Sequence, residues 1–129
     1  MPTWGEIQEY VRSKYKLSKD LEDRFSLVFS WGDVGRAQQI TVRKFSAFNQ
    51  EWVEFYSACC KENEMAPAVA LKKNGQFHVG ALCLDKGFYL FRYSVPLGTL
   101  DIEEFELPLH VVAETADRIE QDFTAGDVY

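Results

Sequence analysis

"GALCLDKGFYLFRYSVPLGTLDIEEFELPLHVVAETADRIEQDF", residues 80–123, changes its hydrophobic period once, and that change decides the fold. In residues 88–95, Phe88 and Leu90 alternate with Tyr89, Phe91, Tyr93 and Val95, a period of two that predicts a strand. The run before it, "FHVGALCL" at 77–84, also alternates, with Phe77, Val79, Ala81 and Cys83 set against Leu82 and Leu84. "DKG" at 85–87 joins the two runs as a tight hairpin, and Pro96 ends it. Phe105, Leu109, Val112, Ala116, Ile119 and Phe123 then recur at spacings of 4, 3, 4, 3 and 4, one apolar stripe on a helix of about five turns. Thr99 or Asp101 is placed to cap that helix and Ala125-Gly126 to close it. Pro108 is expected to kink it or to split off a first turn, because proline lacks an amide donor and crowds the preceding turn.

The upstream half reads by the same two periods. "TWGE" at 3–6 has the form of a capping box and starts a helix whose stripe is Trp4, Ile7, Val11 and Tyr15, ending near Leu17. "KLSKDLED" reads as a polar connection. In "RFSLVFSW", Phe25, Leu27, Phe29 and Trp31 alternate with Arg24, Ser26 and Ser30, a half-buried strand. "GDVG" at 32–35 turns the chain into "RAQQITVRKF", with Ile40 and Val42 inward and Thr41 and Arg43 outward. "NQ" at 49–50 makes a second break before "WVEFYSACC", a third strand. Pro67, good helix formers, Lys72-Lys73 and Asn74-Gly75 then mark the start, body and stop of a short second helix. The expected class is α+β, a single domain over residues 1–129 with an antiparallel sheet in the order helix, three strands, helix, two strands, helix.

Composition limits function. At 129 residues and 47% hydrophobic, with ten Phe, six Tyr and three Trp, the chain can bury one core without disulfides or metal. Its 14 basic and 20 acidic residues give a net charge of −6, and the densest basic run, "VRSKYKLSK" at 11–19, suits the solvated end of a helix. Nucleic acid is therefore disfavoured as a partner. There is no charged leader followed by an apolar stretch, and no run approaches a membrane span, so a cytoplasmic protein without membrane contact is expected.

The residue types that carry chemistry do not combine into a site. On a regular strand Cys59 and Cys60 diverge to opposite faces, Cys83 sits among Ala81, Leu82 and Leu84, and no CxxC pair exists, so the thiols read as small core hydrophobes. His78 and His110 have no ligand-spaced partner, "IEEFE" at 102–106 suits a helix start, and no serine sits in an elbow such as GxSxG. No cofactor and no enzymatic activity are expected. The informative feature is two-sided apolarity of the strands over 77–95, which asks for cover on both faces. A partner subunit, a bound chain, a ligand, or the short second helix would supply it.

The helix ending in Asn74 ahead of the hairpin, the "VPLGTLDIEE" entry at 95–104 and "ADR" at 116–118 together resemble the type III secretion chaperone-like fold, in its YbjN-type branch. The motifs cover residues 64–123 and the element order the whole chain. The resemblance implies a small, acidic, cytoplasmic homodimer without catalytic residues. Secretion chaperones of this fold wrap an extended effector segment around the dimer, whereas YbjN-type proteins are described as regulators. A non-catalytic protein-binding module, chaperone-like or regulatory, is the leading expectation. A small-molecule or lipid pocket between the aromatic sheet and the last helix is the alternative. Val69, Phe77 and Val79 are the expected dimer contacts. Val28, on a first strand expected near a sheet edge, and Phe88 and Leu90 are the expected partner contacts for an extended polypeptide.

Overall fold

Thr3 opens the first helix as the sequence predicts, its hydroxyl accepting the Glu6 amide at 3.2 Å while its own amide donates to the Glu6 carboxylate at 3.4 Å. The structure is a computed structural model describing residues 2–30 and 36–124. The expected turn at 32–35, the inward Trp31 and the helix stop at Ala125-Gly126 lie outside the described residues. Helix α1 (Trp4–Lys14) buries Trp4, Ile7 and Val11. Tyr15 follows it as the C-cap, and its hydroxyl, with Tyr10 and the Lys14 ammonium, hydrogen bonds to the Glu106 carboxylate.

Strands β1 (Leu17–Asp20), β2 (Arg24–Ser30), β3 (Ala37–Ala47) and β4 (Gln50–Lys61) precede helix α2 (Pro67–Asn74). Strands β5 (Ala81–Asp85) and β6 (Phe88–Pro96) and helix α3 (Glu106–Phe123) complete the order. The six strands form one antiparallel sheet ordered β1-β2-β3-β4-β6-β5. Two hairpins close on two-residue turns with both central residues at positive φ, Phe48-Asn49 at 54° and 58° and Lys86-Gly87 at 52° and 86°. That turn geometry matches the right-handed twist of the flanking strands.

The α+β class and the three expected helices stand, and the structure adds a strand the sequence reading passed over. Residues 17–20 pair with β2 as Leu17 to Leu27, Lys19 to Ser26 and Asp20 to Phe25. β2 is therefore not the edge it was expected to be along Phe25–Leu27. The fifth strand also starts later than expected, at Ala81 rather than Phe77. Gly80 has φ +77° and passes so close to the Phe91 ring that a Cβ would stand 2.4 Å from it, which takes the chain off strand geometry. Neither Thr99 nor Asp101 caps α3: the Thr99 hydroxyl bonds the Pro96 carbonyl, and Asp101 precedes a separate short turn over Ile102–Glu104. That turn is the piece split from the last helix, and Pro108 lies in the first turn of α3, where its missing amide costs nothing.

One face of the sheet carries all three helices. Trp4 stacks on Phe25 at 5.4 Å, and Phe105 meets Phe55 at 5.2 Å. α3 crosses β3, β4 and β6, burying Phe105, Leu109, Val112, Ala116 and Ile119. α2 lies beside β5 on the same side, with the Lys73 ammonium 5.3 Å from the Phe123 ring centre on α3. The short second helix thus closes the end of the core and does not fold over the opposite face.

Candidate protein-binding surfaces

The ladder registers decide which side chains share the helix-free face. Val28 stands opposite Gln39, Ser26 opposite Thr41, and Arg24 opposite Arg43. Across β3, β4 and β6, Thr41 meets Tyr56, Arg43 meets Glu54, Tyr56 meets Arg92, and Ala58 meets Leu90. The three expected partner-contact residues, Val28, Phe88 and Leu90, therefore lie on one face. Val28 is 47% exposed and the other two are half-buried.

Two shallow grooves cross that face. One, of about 470 Å³, runs past Gln39, Thr41, Tyr56, Ala58, Phe88 and Leu90. A second, of about 400 Å³, holds Arg24, Arg43, Glu54 and Arg92 and shares Tyr56, Asp85, Lys86 and Leu90 with the first. Glu54 is buried, only 5% exposed, which is unusual for a carboxylate and is explained by its partners. Arg43 Nε donates to Glu54 Oε1 at 3.0 Å, and Arg92 Nη1 lies 3.6 Å from Oε2. Arg24 is held by Asp23 through contacts of 3.2 and 3.3 Å.

A bulge shapes the first groove. The β4–β6 register shifts between Ala58 and Cys60, so Ala58 faces Leu90 but Cys60 faces Tyr89. Cys59 is the extra residue, and both cysteines are buried, contrary to the expected divergence of the two thiols on a regular strand. Burial pushes the Cys60 thiol up to about 11 and raises Cys59 and Cys83 as well, so the thiolate is disfavoured at neutral pH. His78 and His110 are exposed, and among the described residues no cluster of three His, Cys, Asp or Glu side chains is placed to hold a metal. No helix among them is long and apolar enough to cross a membrane.

The second surface is at the β5 end. Asn74 turns its carboxamide to the outer edge of β5, donating from Nδ2 to the Leu82 carbonyl at 3.1 Å and accepting the Leu82 amide at 2.7 Å on Oδ1. A side chain stands there in place of a seventh strand. Beside it are exposed Val69 and Val79, with Phe77 half-buried against Phe91 at 5.1 Å between ring centres. Leu71, two residues after Val69 on α2 and so on another side of the helix, is 72% exposed.

The space between the sheet and α3, expected as an alternative ligand pocket, is filled by Phe55, Phe91, Phe105, Leu109 and Val112. No protein-family model matches the chain, and no curated protein matches it. Solved structures do. A chain in the crystal structure of the ExsC–ExsE complex superposes with a TM-score of 0.70 at 16% identity, over 98% of this chain and 99% of that one. A chain in the HopA1–SchA chaperone–effector complex superposes with a TM-score of 0.65 at 14% identity, over 89% and 90% of the two chains. The chain shares its fold with a chain of each complex.

Sequence reasoning missed Arg92, Glu54 and Tyr56 as parts of a surface, because charged and aromatic residues on a strand read as its solvated side. It also read Asn74 only as a helix stop. The signal for the first group was present in the alternation itself, which puts Arg92 on the same face as Phe88 and Leu90.

Proposed function

We propose that this chain is a non-catalytic protein-binding module, chaperone-like or regulatory, that works in the cytoplasm as an acidic homodimer and holds an extended segment of another protein. Within the superfamily the proposal places it in the YbjN-type branch, on the motifs over residues 64–123. The observation that carries the reading is a six-stranded sheet with all three helices on one side and an opposite face that presents exposed Val28 and, along an open groove, Phe88 and Leu90. Open grooves on a sheet suit a chain that lies across them better than a small molecule, which binds where most of its surface can be enclosed. The likeness to a chaperone–effector complex supports the same class of partner.

For the homodimer, Val69, Phe77 and Val79 form the proposed contact. Asn74 occupies the edge of β5 at Leu82, so the two protomers meet through α2 and residues 76–80 rather than through a continuous strand ladder there. Light scattering at micromolar concentration is expected to give twice 14.9 kDa. Val69→Asp combined with Val79→Asp is expected to give a folded monomer, and a parent mass of 14.9 kDa would refute the dimer. Affinity capture from native lysate followed by mass spectrometry tests the partner class: a recurrent polypeptide supports the reading, and a co-purified small molecule in its place refutes it.

A further inference from the structure

The charge on the helix-free face runs against that of the whole chain. The net charge is −6, yet the second groove brings Arg24, Arg43, Arg92 and Lys86 together with only Glu54 and Asp85. Asp23 occupies Arg24, and Glu54 is shared by two guanidiniums. Arg43 takes the shorter bond to Glu54 and also lies over the Phe45 ring, 5.1 Å from its centre. Arg92 is left with one long contact of 3.6 Å and a side chain 51% exposed. A guanidinium has five donors in a planar fork that fits a carboxylate with two bonds, and most of those on Arg92 face the groove unspent.

Arg92 also has a fixed place relative to the apolar groove. Phe88, Leu90 and Arg92 are alternate residues of β6 and project from the same face, about 7 Å apart in succession. A second extended chain lying along β6 repeats with the same spacing, so its residue i can sit over Leu90 and Ala58 while its residue i+2 sits over Arg92. We propose that this face reads an extended guest segment in which an apolar side chain is followed two residues later by a carboxylate, the apolar group seated on Leu90 and Ala58 and the carboxylate on Arg92. This rests on the protein-binding reading and names the chemistry of the guest. Elsewhere the acidic chain repels such a segment, so the charge pattern directs it to this face and fixes its register.

The test uses the full chain and three labelled, acetylated peptides that repeat Leu-Thr-X-Thr, where X is Glu, Ser or Lys and threonine favours the extended form. Fluorescence anisotropy is expected to rank them Glu, Ser, Lys, with the Glu peptide about tenfold tighter than the Ser peptide at low salt, as for a charge-assisted pair. Most of that advantage is expected to vanish near 0.5 M salt, where the Debye length falls to about 4 Å. Arg92→Gln is expected to bring the Glu peptide to the Ser value, Arg92→Lys to restore part of the preference, and Leu90→Ser to weaken both peptides together. Equal binding of the Glu and Ser peptides to the parent, or a preference that survives Arg92→Gln, overturns the carboxylate site and leaves the protein-binding reading standing. Binding of none of the three to a folded parent overturns the groove assignment, while lysate capture separately decides whether the chain binds protein at all.

Discussion

Replacing Asn74 with alanine removes both hydrogen bonds that close the β5 edge, the 3.1 Å bond to the Leu82 carbonyl and the 2.7 Å bond from its amide. Leu82 is 6% exposed, so its peptide groups do not regain full hydration when the carboxamide is gone. Two lost bonds at about 1–1.5 kcal/mol each come to about 2–3 kcal/mol. Alanine is the better helix former by about 0.6 kcal/mol, which offsets part of that loss and leaves a net destabilisation of about 2 kcal/mol. For a domain of this size that corresponds to a fall of about 8 °C in Tm. Urea unfolding followed by the fluorescence of the three tryptophans measures it directly. The same substitution uncovers a strand edge, so self-association by light scattering is expected to rise with concentration. Asn74→Asp keeps an acceptor for the Leu82 amide but sets a carboxylate against its carbonyl. It is expected to be destabilising at neutral pH and to recover as acid restores a donor. An Asn74→Ala protein within about 0.5 kcal/mol of the parent, with unchanged association, would refute the idea that this side chain substitutes for a strand.

Gly80→Ala sets a Cβ 2.4 Å from the buried Phe91 ring at a φ of +77°, and the strain and overpacking together are expected to cost about 2–4 kcal/mol by thermal unfolding. Burial alone would raise the Glu106 carboxyl, but hydrogen bonds from Lys14, Tyr15 and Tyr10 outweigh it and hold the group below its usual range. That stability is present above the unfolded value of about 4.3 and is lost as pH falls through the lower folded value, so Glu106→Gln is expected to flatten the acid limb of the stability–pH curve. An unchanged limb would place the acid sensitivity elsewhere. Cys59→Ser combined with Cys60→Ala is expected to cost about 1–3 kcal/mol of stability and to leave peptide binding unchanged, since both thiols point away from the grooves into the core.

The parts of the fold legible in the sequence are those written in side-chain periodicity. The stripes of α1 and α3 and the alternation of β2, β3 and β6 bury most of the inward residues their spacing selects, with Tyr15, Phe29, Tyr93, Val95 and Phe123 only partly covered at the margins of the core, because burial is what the spacing encodes. β1 was illegible for the opposite reason: "LSKD" buries none of its residues and is held by its ladder to β2, and backbone pairing leaves no hydrophobic signature. Residues 77–80 alternate as a strand would, yet the chain leaves the sheet there because Gly80 must clear a ring that is 11 residues away in sequence. The surface was half legible. Val28, Phe88 and Leu90 stood out by hydrophobicity, whereas the part played by Arg92 depends on Glu54 being shared with Arg43, a relation between three strands that no single stretch contains.

The bulge at Cys59 means that one dimension of the candidate surface is recorded as a count of residues rather than as their kinds. Up to Ala58 the partners across β4 and β6 sum to one constant, and beyond Cys59 they sum to the next integer, so Cys60 and Tyr89 turn inward together and Lys61 and Phe88 outward. A scan that exchanges every side chain in turn would pass over this, since any small residue at position 59 keeps the count. Deleting that position would not. Removal of Cys59 makes the ladder regular with Cys60 still inward and Lys61 still outward, and what is lost is the local bend and added twist that the bulge gives β4 at the end of the first groove. Relatives with altered grooves are thus to be sought by a change of length between Ala58 and Lys61, where an alignment that tolerates a one-residue gap would hide the difference.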